Sequence, residues 1–187
     1  IARLGSPLLD GHLRLAQGMV AFGTHRLPEC GTYCRDAERV LRDNCADVVW
    51  EVTQAQIYQL ISMAQMARYD ELGPKLDLSL REAHERGDVW SATHFMSIGA
   101  MSVKLARDLP NEAAENVREA MARWASSAEF HFQHLFGLIA SVYIDLYRQS
   151  PSALDQLEAA WPELKRKMFL RVRFARITLR ELRGRAC

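Results

Sequence analysis

The chain has 187 residues, of which 49% are hydrophobic and 25% charged, and its formal net charge is +1; this is typical of an ordinary soluble globular protein with a real core. No apolar run approaches the roughly 20 residues that a membrane-spanning helix needs, and four cysteines in a chain of this size argue against a disulfide framework. We therefore predict a cytoplasmic protein whose cysteines are reduced thiols: Cys30, Cys34, Cys45 and Cys187.

Apolar residues recur at helical spacing through the first half of the chain. Asp47 precedes the third predicted helix and is its predicted N-cap. Pro74 falls in the first turn of the fourth helix, and Gly87 is the residue just past its end. The predicted helices of this half cover approximately 7–23, 28–44, 48–68 and 74–85.

The second half continues this pattern around a central helical hairpin. Two amphipathic helices lie between Asn111 and Arg148 on either side of a short break, and small residues such as Ala120 and Gly137 let their axes approach closely. Pro162 lacks a backbone donor and predicts a kink or a helix boundary. No stretch shows sustained period-two alternation, so we predict no sheet. The other predicted helices cover about 89–107, 151–164 and a final helix with apolar positions at Leu170, Phe174, Ile177 and Leu182.

The final helix differs in charge from the rest of the chain. From Lys165 to Cys187, nine basic residues stand against one acid, a charge of +8 that leaves −7 for residues 1–164. This helix either presents a solvated face or meets an acidic surface, whether a following helix, a partner protein or another copy. Nucleic acid is disfavoured, because a single basic helix without a reading motif is weak support for it. Four arginines share one face at intervals of 3, 4 and 3 residues: Arg173, Arg176, Arg180 and Arg183.

Alanines recur late in what would be the second helix of four successive helix pairs. Small or large apolar residues precede each alanine by three and by seven positions, as in the second helix of a tetratricopeptide unit. The alanines are 46, 37 and 40 residues apart, more than the usual ~34, so the units are long and irregular. The positions are Cys30, Cys34 and Ala37; Leu76, Leu80 and Ala83; Ala113, Val117 and Ala120; and Ala153, Leu157 and Ala160.

This spacing predicts an all-α fold of stacked antiparallel helix hairpins. We expect a short tetratricopeptide-like right-handed α-solenoid in a single domain, 1–187. The chain does not begin with Met and ends within a helical pattern, so we expect it to be a fragment of a longer chain. The predicted repeats are 7–45, 47–87, 89–127 and 130–167, followed by a final helix at 168–186.

Eight short motifs extend over nearly the whole chain: Leu41–Glu51, Arg81–Asp88, Ala92–His94, Ala122–Trp124, Phe130–His134, Ile144–Tyr147, Trp161–Pro162 and Phe169–Val172. Together they resemble the helical region C-terminal to the catalytic domain in large multidomain bacterial serine/threonine protein kinases. The resemblance implies a tetratricopeptide-like scaffold or sensor region attached to a kinase. It carries over no catalytic residue, because the Gly-rich loop, the strand Lys, the catalytic-loop Asp and the Asp-Phe-Gly triplet are missing from this sequence.

Two residue pairs could carry chemistry, but both have a simpler explanation. His131 and His134 share a helix face, whereas a closed zinc site needs four ligands and a catalytic one needs three and a water. Cys30 and Cys34 fall at packing positions of the first repeat, where a free cysteine behaves as a small hydrophobe; a redox or metal role is the lesser alternative. We therefore predict no catalytic residue, no cofactor and no metal.

The function that we predict is non-catalytic protein–protein interaction, as a scaffold or sensor region of a bacterial signalling protein. On the resemblance, this would be the regulatory segment of a serine/threonine kinase. The first helices of successive pairs, around Tyr58, His94 and Gln133, would line a concave surface for a peptide, a helix or another domain of the parent chain. The arginine face of the final helix is a second candidate surface, and self-association of the fragment through this helix is an additional expectation.

The main alternative is a ligand-binding helical bundle, such as the effector half of a regulator. It would need a closed apolar cavity between helices, lined by residues such as Met96, Met101, Phe132 and Phe136. A more distant alternative is an all-α enzyme with a metal at His131 and His134.

Overall fold

The structure is a computed structural model that describes residues 5–124 and 129–187. Within these ranges the chain is all-α and contains no strand, as predicted. The end of the predicted third repeat and the break in the central hairpin lie partly outside the described residues. The helices are α1 Pro7–Gly23, α2 Leu27–Asn44, α3 Val49–Gln65, α4 Tyr69–Glu85, α5 Val89–His94, a π-helical segment Phe95–Ala100, α6 Met101–Ala106, α7 Pro110–Trp124, α8 Phe132–Tyr147, α9 Ser152–Arg166 and α10 Arg173–Ala186.

The chain forms two compact units, 1–75 and 76–187, and the boundary lies within α4. In the first unit, α2 packs against α1 and α3. In the second, α7 and α8 form a packed pair, α9 packs on α8, and α10 packs against both α8 and α9. This confirms the prediction of packed helix pairs, whereas the single domain and the solenoid stay predictions.

The repeat spacing identified packing positions correctly. Of its twelve residues, all are buried except Leu80 and Ala160, which are half-buried. In the first unit the reason is close helix approach: a Cβ built on Gly18 of α1 would overlap the Sγ atom of Cys34 on α2. Small residues are needed where two helix axes come this near. The repeat spacing in the sequence therefore indicates where helices pack against each other.

Two predicted helix details are wrong. Asp47 does not cap α3, because it adopts a left-handed conformation (φ 56°) and Val48 takes the cap position. Helix α4 begins at Tyr69, so that Pro74 lies inside it. The Arg68 carbonyl accepts the first bonds of this earlier turn, which lets Leu72 become fully buried.

Pro162 does not end its helix, since α9 continues to Arg166. Buried Leu157 and Leu164 on either side of the proline fix α9 against the core of the second unit. The predicted helix at 89–107 has the right length, but its middle third is π-helical from Phe95 to Ala100, which the spacing did not indicate.

Candidate interaction site

The position of α10 is set by a short aromatic anchor after α9. Met168 takes a left-handed conformation (φ 61°) and starts a single 3-10 turn, Phe169–Arg171. Phe169 is buried, with its ring centroid 5.5 Å from that of Phe130 and 5.0 Å from that of Phe132. Because this ring is held in the core of the second unit, it anchors the segment that leads into α10 at Arg173.

The buried side of α10 consists of Ala175, Leu179 and Leu182, which are fully buried in a cluster with residues of α8 and α9. An α-helix turns about 100° per residue, so the opposite side carries Arg173, Ile177 and Arg180. The prediction had placed Ile177 among the apolar positions of the helix, yet 55% of it is exposed. Of the predicted apolar positions within α10, Leu182 is fully buried, Phe174 is half-buried and Ile177 is exposed.

Two basic residues at the end of α10 are paired with glutamates of the second unit. The Nε atom of Arg183 lies 2.7 Å from Oε1 of Glu158, and its guanidinium is 5.0 Å from the ring centroid of Trp161. Arg185 pairs with Glu181 at 3.0 Å. Arg183, predicted as part of the interaction surface, therefore already has a carboxylate partner in the chain.

Tyr143 of α8 supports this edge of the helix. Its hydroxyl donates a hydrogen bond to Glu181 at 3.2 Å, and the Arg185 guanidinium lies 5.8 Å from its ring centroid. Burial, together with the negative charge of Glu181, raises the pKa of Tyr143 to about 12. The phenol is therefore neutral at pH 7 and remains a hydrogen-bond donor.

The remaining arginines of α10 form a separate, exposed group. Arg173, Arg176 and Arg180 are exposed, and no carboxylate within the described ranges pairs with them. They surround Ile177 at positions i, i+3 and i+7 relative to Arg173. We call Arg173, Arg176, Ile177 and Arg180 the α10 face. It is an exposed basic surface with an apolar centre.

The other three residues predicted to bind a partner lie elsewhere. Tyr58 is half-buried, with its ring centroid 5.3 Å from that of Phe22, and burial raises its pKa. His94 is 4% exposed and Gln133 is 1% exposed, so both are buried. Partner binding by Tyr58, His94 and Gln133 stays a prediction. The side chains of His94 and Gln133 do not face solvent in this structure.

His94 occupies an unusual environment at the start of the π-helical segment. The ring centroids of Phe136 and Trp90 lie 4.2 Å and 6.1 Å from that of His94, and neither ring nitrogen has a hydrogen-bond partner. Burial lowers the pKa of His94 to about 3. The imidazole is therefore neutral at pH 7. Helical spacing predicts that His94 lies on the first helix of a pair, but it does not predict that the imidazole ring is buried.

A groove that sequence reasoning missed lies in the second unit, between the end of α4, α5 and α7. Its volume is about 260 Å³. Among the residues proposed for an apolar cavity, Met96 lines this groove, whereas Met101 and Phe136 are buried elsewhere and Phe132 is 44% exposed. The lining is Ala83, His84, Gly87, Asp88, Val89, Ala92, Thr93, Met96, Ala120 and Arg123.

His131 and His134 form a helix cap. The His131 backbone N–H donates to Nδ1 of His134 at 3.0 Å, at the start of α8. Burial is the larger cause that lowers the pKa of His134, and the charge of the nearby His131 lowers it further. Over residues 5–124 and 129–187, no group of three or more His, Cys, Asp or Glu side chains is arranged to hold a metal ion.

No protein-family model matches the chain, and no curated protein or solved structure is similar enough to count as a match. In the part of the chain that the structure describes, none of the helices combines the length and apolar character needed to cross a bilayer.

Proposed function

We propose that this chain is a non-catalytic protein-interaction region, a scaffold or sensor segment of a bacterial signalling protein that acts in the cytoplasm. The observation that carries the proposal is the α10 face. Its arginines have no carboxylate partner among the described residues, and an exposed Ile177 lies between them. An exposed apolar residue ringed by charge is the usual composition of a small protein-binding surface.

The position of the arginines within α10 supports the same proposal. Arg173 is the first residue of the helix, and the first turn contains no acidic residue. The partial positive charge at a helix N-terminus disfavours cations there, so the arrangement does not serve the stability of α10. A binding role gives a reason for it.

The resemblance to the region beyond the catalytic domain of bacterial serine/threonine kinases supplies the proposed context. The test is to read the parent reading frame upstream of Ile1. A kinase catalytic domain there would support a regulatory or recruiting segment. A frame that begins just before Ile1, or one that encodes a DNA-binding helix pair, would contradict the kinase context.

The interaction itself is tested with the purified chain and the separately expressed remainder of the parent protein. Binding measured by calorimetry should weaken at least tenfold in an Arg176→Glu, Arg180→Glu double variant, because like charges would replace complementary ones. The matched control is Arg81→Glu, a charge reversal at an exposed position of α4. Equal loss in the control, or no loss in the double variant, would contradict binding through α10.

A second candidate function rests on the groove beside α5. Its floor contains Ala83, Ala92 and Ala120, and the exposed Arg123 lies at its rim. Such a groove suits a short aliphatic ligand with an acidic end, which fits a ligand-binding regulator domain. A thermal-shift series with hexanoate, hexanol and acetate tests this. Stabilisation by hexanoate alone that is lost in Arg123→Gln would favour this function, since a bound ligand raises the melting temperature.

A further inference from the structure

We infer that the α10 face binds an acidic amphipathic helix of a partner protein. This inference rests on the proposed interaction function and specifies the chemistry of the partner. Three properties of the face lead to it: the type of its cations, the apolar residue at its centre, and the spacing between them.

The cations of the face are all arginines. A guanidinium offers a planar pair of donors that matches a carboxylate in a bidentate contact. Arg183 and Arg185 already pair with carboxylates within the second unit, each through a contact with one glutamate oxygen. Arg173, Arg176 and Arg180 are exposed in the same helix without such a partner among the described residues. These three arginines can therefore bind carboxylates of a partner.

Ile177 distinguishes a protein partner from a polyanion. It lies directly opposite the buried stripe of α10 and is 55% exposed. Val172, just before α10, and Met168, just before the 3-10 turn, are also exposed, at 40% and 55%. A phosphate backbone gives Ile177 nothing to contact, whereas the apolar side of an amphipathic protein segment can cover it.

The spacing of the face favours a helical partner. Arg173, Arg176 and Arg180 follow the i, i+3, i+7 rhythm of a helix surface and span about 10 Å along the axis at 1.5 Å per residue. A facing helix repeats its side chains at the same intervals, so carboxylates at i, i+3 and i+7 can each meet one arginine. An apolar residue at i+4 of that helix would then contact Ile177.

A second copy of this chain fits the face less well. Helix α7 carries exposed Glu112, Glu115 and Glu119 at the same intervals. Two of these are already occupied, because Glu112 pairs with Lys104 and Glu115 with Arg118. The i+4 position holds a polar residue, Asn116, where contact with Ile177 calls for an apolar one. We therefore assign the face to a separate partner.

The experiment uses three fluorescein-labelled, hydrocarbon-stapled 15-residue helices. The first carries Glu at i, i+3 and i+7 with Leu at i+4, the second replaces the three Glu by Gln, and the third replaces Leu by Ser. Fluorescence anisotropy with the full chain should show the first helix binding at least tenfold more tightly than the second and about threefold more tightly than the third.

Protein variants identify the surface. Arg176→Glu should weaken binding of the acidic helix about tenfold, and Ile177→Ser about threefold with no change in its salt dependence. Both positions are exposed, so circular dichroism should show an unchanged fold. The control Arg81→Glu should alter the affinity less than twofold.

Several outcomes would overturn the inference. They are equal binding of the acidic and Gln helices, indifference to Ile177→Ser, and tighter binding of a single-stranded oligonucleotide that does not depend on Ile177. Concentration-dependent dimerisation abolished by Arg176→Glu would assign the face to a second copy and likewise overturn it. If the acidic helix fails but the remainder of the parent protein binds through α10, the partner class is wrong and the proposed function stands.

Discussion

The two units place charged side chains in opposite surroundings: Glu38 of the first unit is buried and paired, whereas the arginines of the α10 face in the second unit are exposed. The Glu38 carboxylate is 7% exposed and accepts hydrogen bonds from the side chains of Gln56 and Gln59 at 3.2 Å and 2.8 Å. Lys75 and Arg42 neutralise it at 2.5 Å and 3.1 Å. On the α10 face, by contrast, Arg173, Arg176 and Arg180 are exposed to solvent and pair with no carboxylate of the described residues. A charge that the fold has enclosed and paired maintains the fold, whereas one left without a partner is available for binding.

His94 should give the largest effect, because it is a buried polar group without compensation. Its pKa is about 3 in the folded chain, against 6.5 for an ordinary histidine, so the unfolded state binds more protons between these values. Stability is fully present above pH 6.5 and falls as the pH decreases towards 3, by about 4–5 kcal/mol at 1.36 kcal/mol per pKa unit. His94→Phe should remove this contribution.

The measurement is urea unfolding of both proteins between pH 3 and pH 7.5. The two free energies of unfolding should diverge as the pH is lowered, with His94→Phe the more stable at acidic pH. General acid denaturation cancels in the difference, since the other titrating groups are shared. If the two free energies of unfolding ran parallel over this pH range, the protonated imidazole of His94 would be stabilised by a hydrogen-bond or charge partner in solution, and the prediction would be wrong.

Glu38→Ala should follow in magnitude. It leaves Lys75 and the amides of Gln56 and Gln59 without their shared acceptor in a buried site, which costs about 3–5 kcal/mol. The control is Glu29→Ala, which breaks an exposed pair with Arg26 at 2.7 Å and should cost less than about 1 kcal/mol. Equal effects in denaturant unfolding would contradict the contrast between enclosed and exposed charge.

Gly18→Ala and Gly31→Ala should differ in a corresponding way, because Gly18 lies at a close helix contact and Gly31 does not. The added Cβ would overlap the Sγ atom of Cys34, and overpacking of about 1–3 kcal/mol outweighs the gain of up to about 1 kcal/mol in helix propensity. Gly31 on α2 is the matched control, because a Cβ there meets no atom within 4 Å. Gly31→Ala should therefore raise the melting temperature while Gly18→Ala lowers it. Two shifts of the same sign would contradict the close approach of α1 and α2.

Helical spacing was sufficient to predict the elements and most packing positions of this chain. It located α1 and α2 to within a residue, because their apolar faces repeat without interruption. It could not locate the π-helical segment, since an extra residue per turn changes hydrogen bonding without changing composition. It also misassigned Ile177, because apolar residues at core and exposed positions of one helix look alike in sequence.

The candidate site was predictable in its charge but not in its geometry. The sequence placed four arginines on one face, and three of them are exposed without a carboxylate among the described residues. The fourth, Arg183, is paired with Glu158 of α9, a contact between helices that no spacing within α10 could reveal. Burial of His94 and Gln133 likewise depends on how several helices come together, which the sequence does not encode locally.

The smallest expected effect is a gain in stability from a substitution at the start of α10. Arg173 is the first residue of α10, where the helix dipole disfavours a cation and favours an anion by about 0.3–1 kcal/mol. Arg173→Glu should therefore increase the free energy of unfolding by about that amount while it weakens binding of an acidic partner. Arg173→Gln should give about half of the gain. A loss of stability in Arg173→Glu would mean that this arginine supports the fold, and the separation between structural and binding charge would then not extend to the start of α10. A gain would show that the chain retains a cation at a cost to stability, which binding through the α10 face would explain.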